Sequence, residues 1–478
     1  MARFVLLCFF LLCLVGSIHC DDSGFDFKES LDSLGSPLLD SFAFDTSTGL
    51  PPYMGPQVGL KEQNKITTLP GQPDGINFDQ YSGYVTIEAD AERALFYYFV
   101  ESPQNSSTKP LVLWLNGAPG CSAFGLGALM EVGPFRVGKD GKTLYQNEYA
   151  WTDVANVIFL ETPAGAGFSY SNRTTNYKLS GDNVIVRDSY TFLVNWFERF
   201  SEYKTRDFFI VTEGYAGHYA PKLAQLILDN NKHTSQATIN LRGIVMGNPY
   251  IDYETLIQGV VDYYWAHALI SDEIYTALIS NCNFSSPTAI SKICMGLLEQ
   301  SDIAAGNISS RNIYAAPCNS SSNPTIVPEF DPCSKSYVLS YLNVPEVQTA
   351  LHANVKQWEF CKQLKDEALT VLPIIQGLMA SGIPVWIYSG DVNAEDPVTS
   401  TRYAIKKLET SVKTPWYPWY VKEEVGGYVV EYQNLTFVTI RGAGHLAPSD
   451  QPVRSLVVFS SFLDGKLPPP YSSTSTGV

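Results

Sequence analysis

The sequence predicts an α/β fold in which a mostly parallel central sheet is covered by helices on both faces. Three observations point there. Short runs of apolar, β-branched and aromatic residues recur along most of the chain. Segments between them carry helical spacing, as in Ala220, Leu223, Ala224, Ile227 and Leu228. The 478 residues are 45% hydrophobic and only 17% charged, which suits a large buried core and excludes a disordered or fibrous chain. Buried strands alternating with helical segments form a parallel sheet that needs cover on both sides.

From the N-terminus, Arg3 precedes an apolar run from Phe4 to Val15, the order of a secretory signal peptide, assigned to residues 1–20 with cleavage near Ser17 to Cys20. That run of 12 falls short of a membrane span, which needs about 20 residues. A polar, Pro- and Gly-punctuated lead follows to about residue 75. Strands are then expected at Tyr84–Ile87, Ala94–Val100, Leu111–Leu115, Val157–Leu160, Phe208–Val211, Gly243–Met246, Val385–Tyr388 and Leu435–Ile440. Residues 21–249 and 342–465 are assigned to the core of the fold. The stretch 250–341 breaks the rhythm: it holds four cysteines, three Asn-x-Ser/Thr sites and a Ser-rich run, and reads as an inserted, cross-linked cap region. Residues 466–478, rich in Pro and then in Ser and Thr, read as a flexible tail.

A net charge of −16 leaves no basic surplus for a phosphate backbone, so nucleic acid is excluded as a partner. Removing Cys8, Cys13 and Cys20 with the leader leaves Cys121, Cys282, Cys294, Cys318, Cys333 and Cys361, an even set suited to an oxidising compartment. None forms a CxxC pair and no histidine pair accompanies them, so no metal site is expected. Acceptor sites for glycosylation at Asn105, Asn172, Asn283, Asn307, Asn319 and Asn434 agree with a secretory route.

The chemistry concentrates at one corner. Phe208–Val211 runs through Thr212 and Glu213 into Gly214-Tyr215-Ala216-Gly217-His218-Tyr219 and then a helix, forcing a sharp strand-to-helix turn near position 214. A nucleophile elbow places its attacking hydroxyl at such a turn, and here the residue is glycine. Three further motifs accompany it: Trp114-Leu115-Asn116-Gly117-Ala118-Pro119-Gly120-Cys121-Ser122, Glu161-Thr162-Pro163-Ala164-Gly165-Ala166-Gly167-Phe168-Ser169-Tyr170, and Arg441-Gly442-Ala443-Gly444-His445-Leu446-Ala447-Pro448. With these four in this order, the chain resembles the serine carboxypeptidase family from about Leu69 to Leu463. The resemblance implies an α/β-hydrolase fold with an inserted cap, no cofactor, a secreted or lysosomal location, and removal of C-terminal residues from peptides at acid pH. Some relatives dimerise, so a homodimer is also an expectation.

Carried over residue by residue, the resemblance places the nucleophile at Gly214, the acid at Asn393 and the base at His445. Glycine has no atom to attack a carbonyl. Asparagine can hold an imidazole by a hydrogen bond but does not stabilise its protonated form, a change worth about 10⁴-fold in the serine-protease triad. Asp391 matches a family residue outside the triad, and Asp396, with Pro397, stands where the family has Cys and Asn; a rescue by either aspartate is the less favoured expectation. The oxyanion hole falls to the backbone N–H groups of Ala118, a glycine in the family, and Tyr215. The grip on a peptide's terminal carboxylate falls to Asn116, Gly117, Glu131 and Glu213, all retained. The plainer reading is that both glutamates satisfy buried neighbours and that His445 is an interior histidine. The resemblance also implies disulfides Cys121–Cys361, Cys282–Cys294 and Cys318–Cys333; spacing alone leaves the connectivity open.

The leading expectation is therefore a secreted homologue that has lost hydrolysis and binds peptides or proteins with a free C-terminus. Two alternatives stand beside it: a working carboxypeptidase whose nucleophile is Tyr215, Ser122 or Ser169, and an acyltransferase, which would need the same missing hydroxyl.

Overall fold

The computed structural model describes residues 52–117, 120–173, 181–233, 239–318, 331–362 and 369–471. The expected signal peptide at 1–20, Ala118, Asn319 and residues 472–478 lie outside this set.

The strands are β1 (Lys65–Ile66), β2 (Gln80–Glu88), β3 (Arg93–Val100), β4 (Leu111–Leu115), β5 (Phe135–Val137), β6 (Leu144–Gln146), β7 (Asn156–Leu160), β8 (Phe208–Glu213), β9 (Leu241–Gly247), β10 (Val385–Gly390), β11 (Val412–Val421), β12 (Glu424–Tyr432) and β13 (Leu435–Ile440). Eleven of them form one sheet in the order β1-β2-β3-β7-β4-β8-β9-β10-β13-β12-β11, while β5 and β6 make a separate hairpin. The centre is parallel, from β7 through β4, β8, β9 and β10 to β13. Both wings are antiparallel, so the sheet is more mixed than the sequence predicts.

Side chains alternate between two cores because successive strand residues face opposite ways. Leu111, Leu113 and Leu115 of β4, with Phe208 and Ile210 of β8, pack against helices α1 (Asp182–Arg199) and α2 (Ala216–His233). Val112 and Trp114, with Phe209 and Val211, face the other layer, which includes Phe459 and Phe462 of the helix Pro452–Leu463. That two-sided burial is why these strands read as continuous apolar runs.

Three features escape the apolar pattern. Residues Ala123–Glu131 form a π-type helix, capped by Ser122, whose Oγ accepts from Gly125 N at 2.8 Å. The hairpin of β11 and β12 is largely exposed along β11, and Pro415 and Pro418 are tolerated there because β11 is an edge. Residues 466–471, expected as part of a flexible tail, instead lie along that edge: Tyr420 N donates to Pro469 O at 2.8 Å and Tyr417 Oη to Pro468 O at 2.9 Å. Prolines suit this place, since their carbonyls accept and no N–H is left over.

Between β9 and β10 the described chain contributes helices and loops but no strand. Disulfides Cys282–Cys294 and Cys318–Cys333 lie within this stretch, and Cys121–Cys361 joins it to the loop after β4. Among the described residues no helix is long and apolar enough to cross a membrane.

Candidate functional site

β8 ends on Glu213, and the chain turns into α2 within two residues. Gly214 makes the turn at φ 61°, the left-handed region, where a residue with a Cβ is strained. Its N–H donates to Gly247 O at 2.9 Å, and its carbonyl accepts from Gly217 N at 3.0 Å and Tyr250 N at 3.1 Å. A Cβ at 214 would stand 3.0 Å from Nε2 of His445 and 3.5 Å from Cα of Gly117. Positions 214, 445 and 117 thus converge, although β8, β13 and β4 deliver them from well separated parts of the sequence.

His445 is fixed by its own backbone. Its N–H donates to Arg311 O at 2.6 Å, and its carbonyl accepts from Asn248 Nδ2 at 2.7 Å. Burial pushes its pKa below the usual imidazole value, with the Glu395 charge opposing. The turn after β10 departs from the sequence expectation. Asn393 makes no hydrogen bond to the ring; its Nδ2 donates to Asp396 O at 2.8 Å and its Oδ1 accepts from Glu395 N at 3.0 Å. Asp396 is the carboxylate nearest the ring, with Oδ2 3.5 Å from Nδ1. Asp391 accepts from Gly442 N at 2.6 Å and holds the histidine loop instead.

Glu395, Asp396 and His445 bring donor atoms within 4.8 Å of one another, the only group among the described residues convergent enough for a cation. Arg311 already supplies a positive charge there, its Nε donating to Glu395 Oε2 at 3.0 Å. The cluster therefore already has a cationic side chain of its own.

The second half of the site is acidic. The π-type helix ends at Glu131 and β8 at Glu213, and both residues are 1% exposed. Their carboxyl groups meet, and none of the four oxygens has a further hydrogen-bond partner among the described residues. Burial pushes Glu131 up to about 7 and Glu213 well above the carboxylate range, so the pair holds a proton at neutral pH. The Tyr388 hydroxyl is likewise buried without a hydrogen-bond partner, and burial with the two glutamate charges raises its pKa. Gly117 adjoins this pair, an ideal Cβ there lying 3.5 Å from Glu213 O; Trp114 Nε1 donates to Asn116 Oδ1 at 2.9 Å, and Tyr219 Oη donates to Gly117 O at 2.8 Å.

The hydroxyls considered as substitute nucleophiles are all engaged. Ser122 Oγ bonds Glu161 while capping its helix, Ser169 Oγ donates to Glu161 O at 2.6 Å, and Tyr215 Oη donates to Asp182 Oδ1 at 3.1 Å. Sequence reasoning missed Tyr388, Arg311, Glu395 and Asp450. Asp450 accepts from Gly444 N at 2.6 Å and Asn312 Nδ2 at 3.0 Å, bracing the histidine loop. Only Tyr388 left a signal, as a polar group inside an apolar strand.

The serine carboxypeptidase family model matches residues 70–465. Serine carboxypeptidase-like 40 of Arabidopsis thaliana is 47% identical over 451 residues, covering 90% of this chain and 89% of that protein. Serine carboxypeptidase 24 of the same plant is 44% identical over 434 residues, covering 85% and 93%. Among solved structures, Kex1(delta)p, a prohormone-processing carboxypeptidase from Saccharomyces cerevisiae, superposes with a TM-score of 0.72 at 25% identity over 85% of this chain and 96% of that one. The α/β-hydrolase-like architecture, the extent of the match and the level of identity agree: this chain belongs to the serine carboxypeptidase family.

Proposed function

We propose that this protein binds peptides or proteins through a free C-terminal carboxylate and does not cleave them by way of an acyl-enzyme. The observation that carries the reading is the Gly214–His445 contact: the place beside Nε2 that a serine hydroxyl would fill is bordered by a residue with no side-chain atom. Without an oxygen at that point no ester can form. The binding half rests on Glu131, Glu213 and Tyr388. When both carboxyls are protonated, one O–H can bridge the pair while the other, with the nearby Tyr388 hydroxyl, donates to a third carboxylate, and Gly117 adjoins Glu213. No observation favours Ser122, Ser169 or Tyr215 as a replacement nucleophile, since each hydroxyl is committed elsewhere.

The same reading places the protein in the secretory pathway as a glycoprotein. Three disulfides support an oxidising compartment, and Asn105, Asn172, Asn283, Asn307 and Asn434 all lie exposed.

Calorimetry with a free peptide and its C-terminal amide tests binding: the free acid is expected to bind and the amide to lose at least ~10-fold, one hydrogen-bonded charge being worth about 1.5–3 kcal/mol. Equal affinity for both would refute it. A fluorophosphonate probe tests the missing nucleophile, and covalent labelling would refute that half.

A further inference from the structure

We propose that Asp396 has taken over the positioning of His445, so that the carboxylate partner of the imidazole has moved three residues along the chain and only the nucleophile is missing. The amide of Asn393 is spent on the turn that carries Asp396. Its Nδ2 holds Asp396 O at 2.8 Å, and its Oδ1 accepts from Glu395 N at 3.0 Å and, at 3.4 Å, from Asp396 N. Asn393 is therefore the brace of this turn. The braced turn delivers the Asp396 carboxylate to 3.5 Å from His445 Nδ1, an atom that is buried and has no hydrogen-bond partner among the described residues. A shift of well under ~1 Å closes that gap to an ordinary hydrogen bond. Asp396 and His445 are each 7% exposed, so little water competes for either.

Burial and the neighbouring Glu395 charge push the Asp396 pKa well above the usual carboxylate range, and Arg311 opposes that rise. Glu395 beside Asp396 is held by Arg311, which offsets the repulsion between neighbouring carboxylates. The His445 backbone is anchored on Arg311 O and on Asn248, so the ring stays between Asp396 and Gly214. An imidazole that keeps its proton on Nδ1 for Asp396 presents the Nε2 lone pair to position 214.

A single substitution should then complete the chemistry. In Gly214→Ser, the new Oγ bonds the peptide carbonyl carbon while its proton passes to Nε2, and the proton then goes to the departing amine as the C–N bond breaks. Water attacks the resulting ester by the same route, releasing the acid and returning the proton to Oγ.

The catalytic test rests on the carboxylate pocket proposed above. Gly214→Ser is expected to hydrolyse an N-blocked dipeptide with a free C-terminus, and Gly214→Ser with Asp396→Asn to lose about 10³–10⁴-fold in kcat at unchanged KM. Equal rates in these two variants, or activity only after Asn393→Asp is added, would overturn the assignment. A second measurement needs no turnover: ¹⁵N NMR of the otherwise unaltered chain, with His445 assigned through His445→Gln. The Nδ1 signal is expected to report a protonated, hydrogen-bonded nitrogen that shifts in Asp396→Asn, and an unchanged signal would overturn the proposal. If the spectrum shifts as expected while Gly214→Ser stays inert, the failure belongs to the carboxylate pocket.

Discussion

The imidazole of His445 leans into the volume that a side chain on Gly214 would occupy, with Nε2 3.0 Å and Cε1 3.2 Å from an ideal Cβ there. At φ 61° any residue with a Cβ also carries backbone strain, roughly 1–3 kcal/mol. Gly214→Ser and Gly214→Ala are therefore both expected to fold but to melt about 1–3 °C below the parent protein by calorimetry. A rise in melting temperature would show that the corner is not relaxed by glycine.

Binding of a free C-terminus should weaken as pH rises, because the buried pair gains its first negative charge near the Glu131 value of about 7 and its second higher still through Glu213, and each charge repels the incoming carboxylate. Titrations at acidic and mildly alkaline pH should show this directly. Glu131→Gln keeps an uncharged donor at every pH, so its affinity profile should be flatter than that of the parent.

Folding stability should have the same sign. Burial raises Glu131, Glu161, Asp188 and Asp450 each to about 7, so the folded state binds protons that the unfolded state releases at the ordinary values of 4.5 or 3.8. Their contribution is complete below those values and falls away as pH rises toward 7. His218, lowered to about 4 by burial, and His445, also lowered, act in the opposite direction below 6.5. Four carboxyls outweigh two imidazoles, so the melting temperature should be higher near pH ~5.5 than near pH ~7.5. The reverse order would mean that these acids are ionised in the fold.

The disulfides should differ in weight. Cys121–Cys361 closes a separation of 240 residues and Cys282–Cys294 only 12, for which chain entropy assigns about 5 and about 3 kcal/mol. Replacing each pair by serine and comparing denaturant midpoints should give the larger loss for the first.

What the sequence revealed follows from where its physics is local. The parallel strands were legible because residues such as Leu111–Leu115 and Phe208–Val211 are buried on both faces and must be apolar throughout. The elbow at Gly214 was legible because a strand meeting a helix over two residues leaves the chain no other route. By contrast, β11 was hidden because an exposed edge needs no apolar run and tolerates proline. Asp396 was underrated because its significance depends on where the side chains of Asn393 and Arg311 point, which spacing does not encode. Arg311 and Asp450 reach the site only through tertiary packing.

The two margins of the large sheet carry a consequence for how these molecules meet one another. One margin is β1, only two residues long, and the other is β11, where two prolines remove donors and Pro469 occupies a third. A neighbouring molecule laid along either side would find little to pair with, so a sheet of eleven strands is a poor template for its own extension. Crowded chains should therefore resist fibrillar growth by strand addition, despite the many β-strands each contains.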